Sequence, residues 1–279
     1  MNMKHVLPLL VGVASLSFHS AQAQLLFSEG FNYTVGGNLG GQVNPGNSTA
    51  WSSGAAGSIT IASVAQSYTD SQNDTLLNNN ANSLSDAWGT SGSTVNTYAN
   101  QTSGSVYYSF LLDMTAFDGA NDYITSLNPG TTAPGGSADA LAVYMYSGTS
   151  AGDIGLRTDG IAAIHVPNTQ AMALNTTYLV VVQYSFATTT ANLWLDPIIG
   201  GSSAPTPSLT LAGNGSVTAI DDVGFKSQAT TGDFDIANML IGTTWASVTP
   251  EVTVTPEPST FALAGIGMGL TLLARFRRR

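Results

Sequence analysis

No cysteine occurs in the 279 residues, which excludes a disulfide framework, a thiolate metal site and a cysteine nucleophile. A chain of this length does without such staples, because a domain above about 200 residues buries enough apolar surface to hold itself together. Lys and Arg are nearly as scarce, seven in all. Lys4 stands near the amino terminus and Arg275, Arg277, Arg278 and Arg279 at the carboxyl end, leaving Arg157 and Lys226 for everything between. Residues 24–255 hold 14 Asp with Glu29 and Glu251, a formal charge of −14. That field repels phosphate backbones and argues against a nucleic-acid partner. Charged residues make up only 9% of the chain, against about a quarter of an ordinary soluble protein. The surface is therefore polar but weakly ionic.

What is present begins with a core: 43% hydrophobic residues, with 10 Phe, 10 Tyr and 4 Trp. The two ends read as addresses. Lys4, the apolar run Val6 to Leu16 and the small residues Ala21 and Ala23 before Gln24 form a signal peptide over residues 1–23, with signal peptidase as its partner. Thr260 to Ala274 carries no charge and is followed by the arginine cluster Arg275, Arg277, Arg278 and Arg279. As a helix those 15 residues would rise about 22 Å against a hydrocarbon core of about 30 Å. Flanking residues and snorkelling arginines close the gap, so residues 260–279 are predicted to form a short transmembrane helix. The arginines stay cytoplasmic under the positive-inside rule, which puts the preceding residues outside. Residues 250–259 are an extended tether, because Pro256 and Pro258 deny the segment both helix and ladder hydrogen bonds.

Pro256-Glu257-Pro258-Ser259, an apolar Gly-rich span and a terminal arginine cluster, in that order, resemble the PEP-CTERM sorting signal of Gram-negative bacteria. The resemblance implies an exosortase-type processing enzyme as partner, transient residence in the inner membrane, and delivery to the cell surface or extracellular matrix.

Between the ends, windows alternate with period two rather than 3.6. Val106, Tyr108, Phe110, Leu112 and Met114 share one strand face, as do Tyr178, Val180, Val182, Tyr184 and Phe186. Leu25 to Phe31, Ser58 to Val64, Ala140 to Tyr146, Ile161 to Val166, Ala191 to Leu195, Val217 to Phe225 and Phe234 to Ile241 are further strand candidates, separated by turn-forming clusters. Asn38 to Gly57 and Asn73 to Gly92 read as loops. The fold class is all-β: one antiparallel two-sheet sandwich over residues 24–249. Leu26 to Tyr33 with Gly36 to Leu39, and Leu193 to Pro197, Asp221 to Phe225 and Phe234 through Trp245, resemble the opening and closing halves of laminin G-like, concanavalin A-like jelly rolls. That resemblance implies the jelly-roll sandwich and leaves activity open.

Glycosidases need two carboxylates across the scissile bond, and residues 24–249 contain a single glutamate, Glu29. The Glu-x-Asp-x-x-Glu pattern of laminarinase-type relatives is missing. Asp233 and Asp235 share a strand face through the period of two, but an acidic strand start explains them as well. His165, the lone histidine of residues 24–249, has no accompanying nucleophile motif. Asp118, Asn121 and Asp122, and separately Asp221 and Asp222, offer calcium hard oxygen donors on turns, although neither group has the EF-hand spacing and turn-capping is the default explanation of both. Trp51, Trp88 and Tyr98, set in polar loop-like stretches, are the candidates for an exposed aromatic platform, whereas Trp194 and Trp245 belong to the core. The resulting expectation is an exported surface or matrix protein with a non-catalytic sandwich that binds an extracellular polysaccharide or protein. A polysaccharide-active enzyme and an inert coat component are the competing classes.

Overall fold

The computed structural model describes residues 24–52, 59–77, 82–86, 92–117, 121–130, 139–146, 153–159, 172–227 and 233–250. The predicted signal peptide, tether, sorting motif and transmembrane helix lie outside them, and among the described residues no helix is long and apolar enough to cross a membrane.

The described chain forms the strands β1 (Leu25–Glu29), β2 (Ile59–Ala62), β3 (Ser67–Thr69), β4 (Thr75–Leu77), β5 (Ser83–Asp86), β6 (Gly92–Gln101), β7 (Ser105–Met114) and β8 (Asp122–Asn128). β9 (Leu141–Tyr146), β10 (Asp153–Thr158), β11 (Thr177–Ser185), β12 (Thr190–Leu195), β13 (Leu209–Ala212), β14 (Ile220–Ser227) and β15 (Phe234–Gly242) follow, then one helical turn, α1 (Trp245–Val248). The larger sheet runs β13-β12-β11-β7-β15-β5-β2, with β1 also paired to β15; the second runs β10-β9-β8-β14-β6; β3 and β4 form a hairpin. Every one of these pairings is antiparallel. This is the predicted jelly-roll sandwich.

Alternation decides what lies between the sheets. Val106, Tyr108, Phe110, Leu112 and Met114 of β7 and Tyr178, Val180, Val182 and Tyr184 of β11 meet Ile124 and Leu127 of β8, Leu141, Val143 and Met145 of β9, and Val223 and Phe225 of β14 in one cluster. A smaller cluster covers the outer face of the larger sheet, where Leu111, Leu179, Val181, Trp194 and Ala237 pack under Tyr68, Leu76, Trp245 and Val248. Trp194 and Trp245 are thus buried, with ring centroids 5.2 Å apart.

The loop predicted for Asn73 to Gly92 contains β4 and β5 instead. In β5 only Leu84 is apolar, so no alternation marks it; it is a strand because β2 and β15 hydrogen-bond it on either side. β6 (GSTVNTYANQ) is polar for the same reason and is held by β14. β8, β10 and β3 likewise carry few apolar positions, and β13 is only four residues long. The predicted strand Ile161 to Val166 lies outside the described residues.

Candidate ligand-binding face

The outer face of the five-stranded sheet carries both cations of residues 24–255. On β9, Ala142, Tyr144 and Tyr146 alternate with the core residues Leu141, Val143 and Met145, and so point away from the core. Register sets Tyr123 of β8 beside Tyr144, and Gly155 of β10 on its other side. The two rings meet edge to face at 5.0 Å. Arg157, two positions along β10, stacks its guanidinium 5.3 Å from the Tyr144 ring centre, and Lys226 of β14 places its ammonium 6.0 Å from that of Tyr123. Both Lys and Arg of residues 24–255 are therefore seated on tyrosine faces of one sheet.

Asp139, just before β9, binds this group together. Its Oδ2 accepts from Arg157 Nη2 at 3.1 Å and from Tyr123 Oη at 3.2 Å. Burial raises the Tyr123 phenol well above its usual range, with Asp139 adding to the effect. Burial likewise pushes Tyr144 up to about 12, Arg157 opposing and Asp139 reinforcing. Both phenols stay protonated at neutral pH, and that of Tyr123 donates to Asp139. One row further, Ala142, Ser126 and Gly224 stand in register across β9, β8 and β14, and beyond them the Asn128 amide donates to Asp222 Oδ1 at 2.8 Å. Tyr146, Asp153, Arg157 and Lys226 are the partly exposed members of the face, with the Arg157 side chain 16% exposed. Tyr123, Tyr144, Asp139, Asn128 and Asp222 are buried, so what the face offers a polyhydroxylated or peptide ligand is the partly exposed Tyr146, Asp153, Arg157 and Lys226, which the buried groups hold in place.

The residues singled out from sequence fall elsewhere, with one partial exception. Trp51 and Tyr98 are not an exposed platform: they are 1% and 9% exposed. Trp51 packs on Phe225 at 5.4 Å and Tyr98 on Phe27 at 6.2 Å. The polar neighbours of Trp51 misled, because they are spent lashing that segment to β6: Ser52 N donates to Val95 O, and the Asn47 amide donates to Asn96 Oδ1 and Thr97 O. Trp88, Asp118 and His165 lie outside the described residues. Asp221 and Asp222 are in β14 rather than on a turn, and Asp122 opens β8. Asp222 pairs with Asn128 at the far end of β8 from Asp122, about 20 Å away at the rise of a strand, so the two predicted calcium sets do not converge. Asp222 alone joins the tyrosine face; Asp221 accepts from Gly130 N at 2.5 Å.

Glu29 is structural. Its Oε1 accepts from Phe31 N at 2.7 Å, and its Oε2 from Tyr33 Oη at 2.6 Å, Asn44 Nδ2 at 2.8 Å and Trp51 Nε1 at 3.0 Å. Asp235 is buried on the outer face of the larger sheet opposite Asp113, not Asp233. Sequence reasoning missed Tyr123, Tyr144, Asp139 and Arg157. Their signal was the combination of Arg157 with tyrosines at every second position of β9, visible only once β8 and β10 are recognised as strands.

Residues 254–279 match the family model of the PEP-CTERM protein-sorting motif. That motif marks an exported protein anchored in the membrane before processing. A comparison with curated proteins returns no match. Among solved structures, the chain is similar to Trypanosoma rangeli sialidase in complex with the inhibitor DANA, at 11% identity over 81% of this chain and 31% of that one, TM-score 0.45. It is also similar to lectin UEA-II complexed with galactose, at 12% identity over 65% and 91% of the two chains, TM-score 0.38. The carbohydrate recognition domain of Emp46p in metal-free form is similar at 11% identity over 57% and 81%, TM-score 0.37. The chain spans 16% of the length of a further sialidase and 25% of a Trypanosoma rangeli sialidase bound to difluorosialic acid. These likenesses concern the sandwich alone.

Proposed function

We propose that this chain is an exported cell-surface or matrix protein whose sandwich binds a glycan or protein ligand without turning it over, using the outer face of the five-stranded sheet, and that an exosortase-type enzyme processes its PEP-CTERM tail. The observation that carries the binding reading is the partly exposed set Tyr146, Asp153, Arg157 and Lys226, whose two cations are held over the buried Tyr144 and Tyr123 rings, with Arg157 tied to Asp139. In a domain this poor in charge, placing both Arg and Lys on one sheet face argues for a recognition task. The non-catalytic reading is supported by Glu29, the lone glutamate of residues 24–249, whose four hydrogen bonds commit it to the fold. Asp235, the other carboxylate weighed for catalysis together with Asp233, is in β15 of the opposite sheet, and Asp233 immediately precedes that strand.

The test is affinity electrophoresis of the purified protein through gels containing matrix polysaccharides, with reducing ends assayed in parallel. Tyr146→Ala and Arg157→Gln should weaken retention at least about tenfold, the scale of a lost hot-spot contact, while Asn192→Ala on the other sheet should not. Retention unchanged in both face variants would refute this site, and release of reducing ends would move the protein to the enzyme class.

A further inference from the structure

Asp113 and Asp235 are direct register partners on β7 and β15. Strand alternation puts both on the outer face of the larger sheet, next to Leu111 and Ala237. Like charges directly opposite one another on antiparallel strands repel, and Asp235 is largely removed from water while Asp113 is partly exposed. Asp235 is 6% exposed, and Oδ1 of Asp235 and Oδ1 of Asp113 are both buried without a hydrogen-bond partner. What faces the pair is oxygen-rich and uncationic: Ser85 of β5 hydrogen-bonds Asp235, Thr176 N donates to Asp113, Thr177 of β11 stands beside Asp113 in register, and Asp233 adds a third negative charge nearby. The two residues able to supply a permanent positive charge within residues 24–255, Arg157 and Lys226, sit on the other sheet.

We propose that Asp113 and Asp235 bind a divalent cation, calcium by preference, between β7 and β15, with the Ser85 hydroxyl as a further oxygen donor. Facing carboxylates with unused oxygens and no counter-ion among the described residues are relieved at neutral pH by a proton or by an outside cation, and hard oxygen donors select calcium or magnesium. Calcium tolerates the irregular, partly aqueous coordination that two carboxylates and a hydroxyl leave, whereas magnesium demands a near-ideal octahedron. With so few protein ligands the affinity falls in the range of extracellular modules, a Kd of about 0.1–1 mM. The site is separate from the tyrosine face and does not depend on the function proposed for it. It is also distinct from Asp118, Asn121, Asp122, Asp221 and Asp222, the donors expected from sequence. Bound there, the ion would clamp the centre of the larger sheet, where β15 meets β7.

The experiment is a thermal melt of the full-length chain stripped with chelator, then titrated with CaCl2 or MgCl2 at constant ionic strength and neutral pH. Calcium should raise Tm with half-saturation near about 0.1–1 mM, and magnesium should act at least several-fold more weakly. Asp235→Asn and, separately, the half-exposed Asp113→Asn should abolish the calcium response, whereas Asp221→Asn should retain it. A wild-type Tm indifferent to calcium overturns the proposal. So does a calcium response that survives in Asp113→Asn, whose milder burial keeps that arm readable if Asp235→Asn fails to fold.

Discussion

Replacing Glu29 by Gln changes one atom and should cost the domain a large part of its stability. Glu29 accepts four hydrogen bonds, three of them at Oε2 from Tyr33, Asn44 and Trp51. A glutamine oriented to keep those three turns its amide toward Phe31 N, so that two buried donors face each other. The residue so deprived holds a left-handed backbone, with φ 54° at Phe31, a conformation that bulky side chains rarely adopt unaided. An unsatisfied buried donor costs about 1–3 kcal/mol, and exchanging charge-assisted bonds for neutral ones costs roughly 0.5–1 kcal/mol each. The total is about 2.5–6 kcal/mol, a substantial part of the roughly 5–15 kcal/mol available to a domain. Urea denaturation followed by tryptophan fluorescence reads this directly, because Trp51 reports on the same network. The midpoint should fall sharply with an unchanged m-value. A loss below about 0.5 kcal/mol, the scale of an ordinary surface substitution, would refute the assignment of Glu29 as a structural hub.

Two pH effects of opposite sign follow from buried aspartates. Burial works to raise the Asp70 carboxyl, but the N–H groups of Ile199, Asp74 and Gln72 outweigh it and hold the carboxyl below its ordinary value. Its contribution is present above the unfolded value of about 3.9 and lost as pH falls below it, so Asp70→Asn should flatten the fall in Tm between about pH 4 and pH 2. Asp235 is shifted the other way, by burial first and then by Asp113 and Asp233. The proton favours its folded state, and the penalty for ionisation grows as pH rises above about 4. In chelator, the Tm of Asp235→Asn should therefore gain on wild type between pH 4 and pH 7; a constant difference would contradict the assignment. Gly242 lies against Ser247 Oγ, and a Cβ there would stand 2.8 Å from Gln24 O. Gly242→Ala should lower the urea midpoint by forcing β1 and α1 apart; an unchanged midpoint would show that this end of β15 yields freely.

The sandwich was legible where strands bury one face, as in β7 and β11, whose alternation runs the whole length of each element. It was illegible where pairing, not apolar content, makes the strand: β5 and β6 are held by neighbours on both sides or along ten polar-rich residues. The same blindness hid the site. Aromatics in polar surroundings were expected at the surface, yet Trp51 is drawn inward by Glu29 and the Phe225 ring. Tyr144, within the strand candidate Ala140 to Tyr146, lies on the outer face against Arg157, where it is buried. Pairing across β8, β9, β10 and β14 joins residues up to about a hundred positions apart, and no local pattern encodes that. The sorting motif was readable in full because its chemistry is local: two prolines, an apolar span and an arginine cluster in series.

The central claim, an exported domain delivered through its carboxyl-terminal signal, is tested most directly by intact mass and membrane fractionation of the protein from its native host, alongside a Pro256→Ala, Pro258→Ala double variant. The account predicts a wild-type product that begins at Gln24, is shortened near Glu257 and leaves the inner membrane, while the variant keeps its tail and stays there. An uncut tail retained in the membrane in both strains would contradict it.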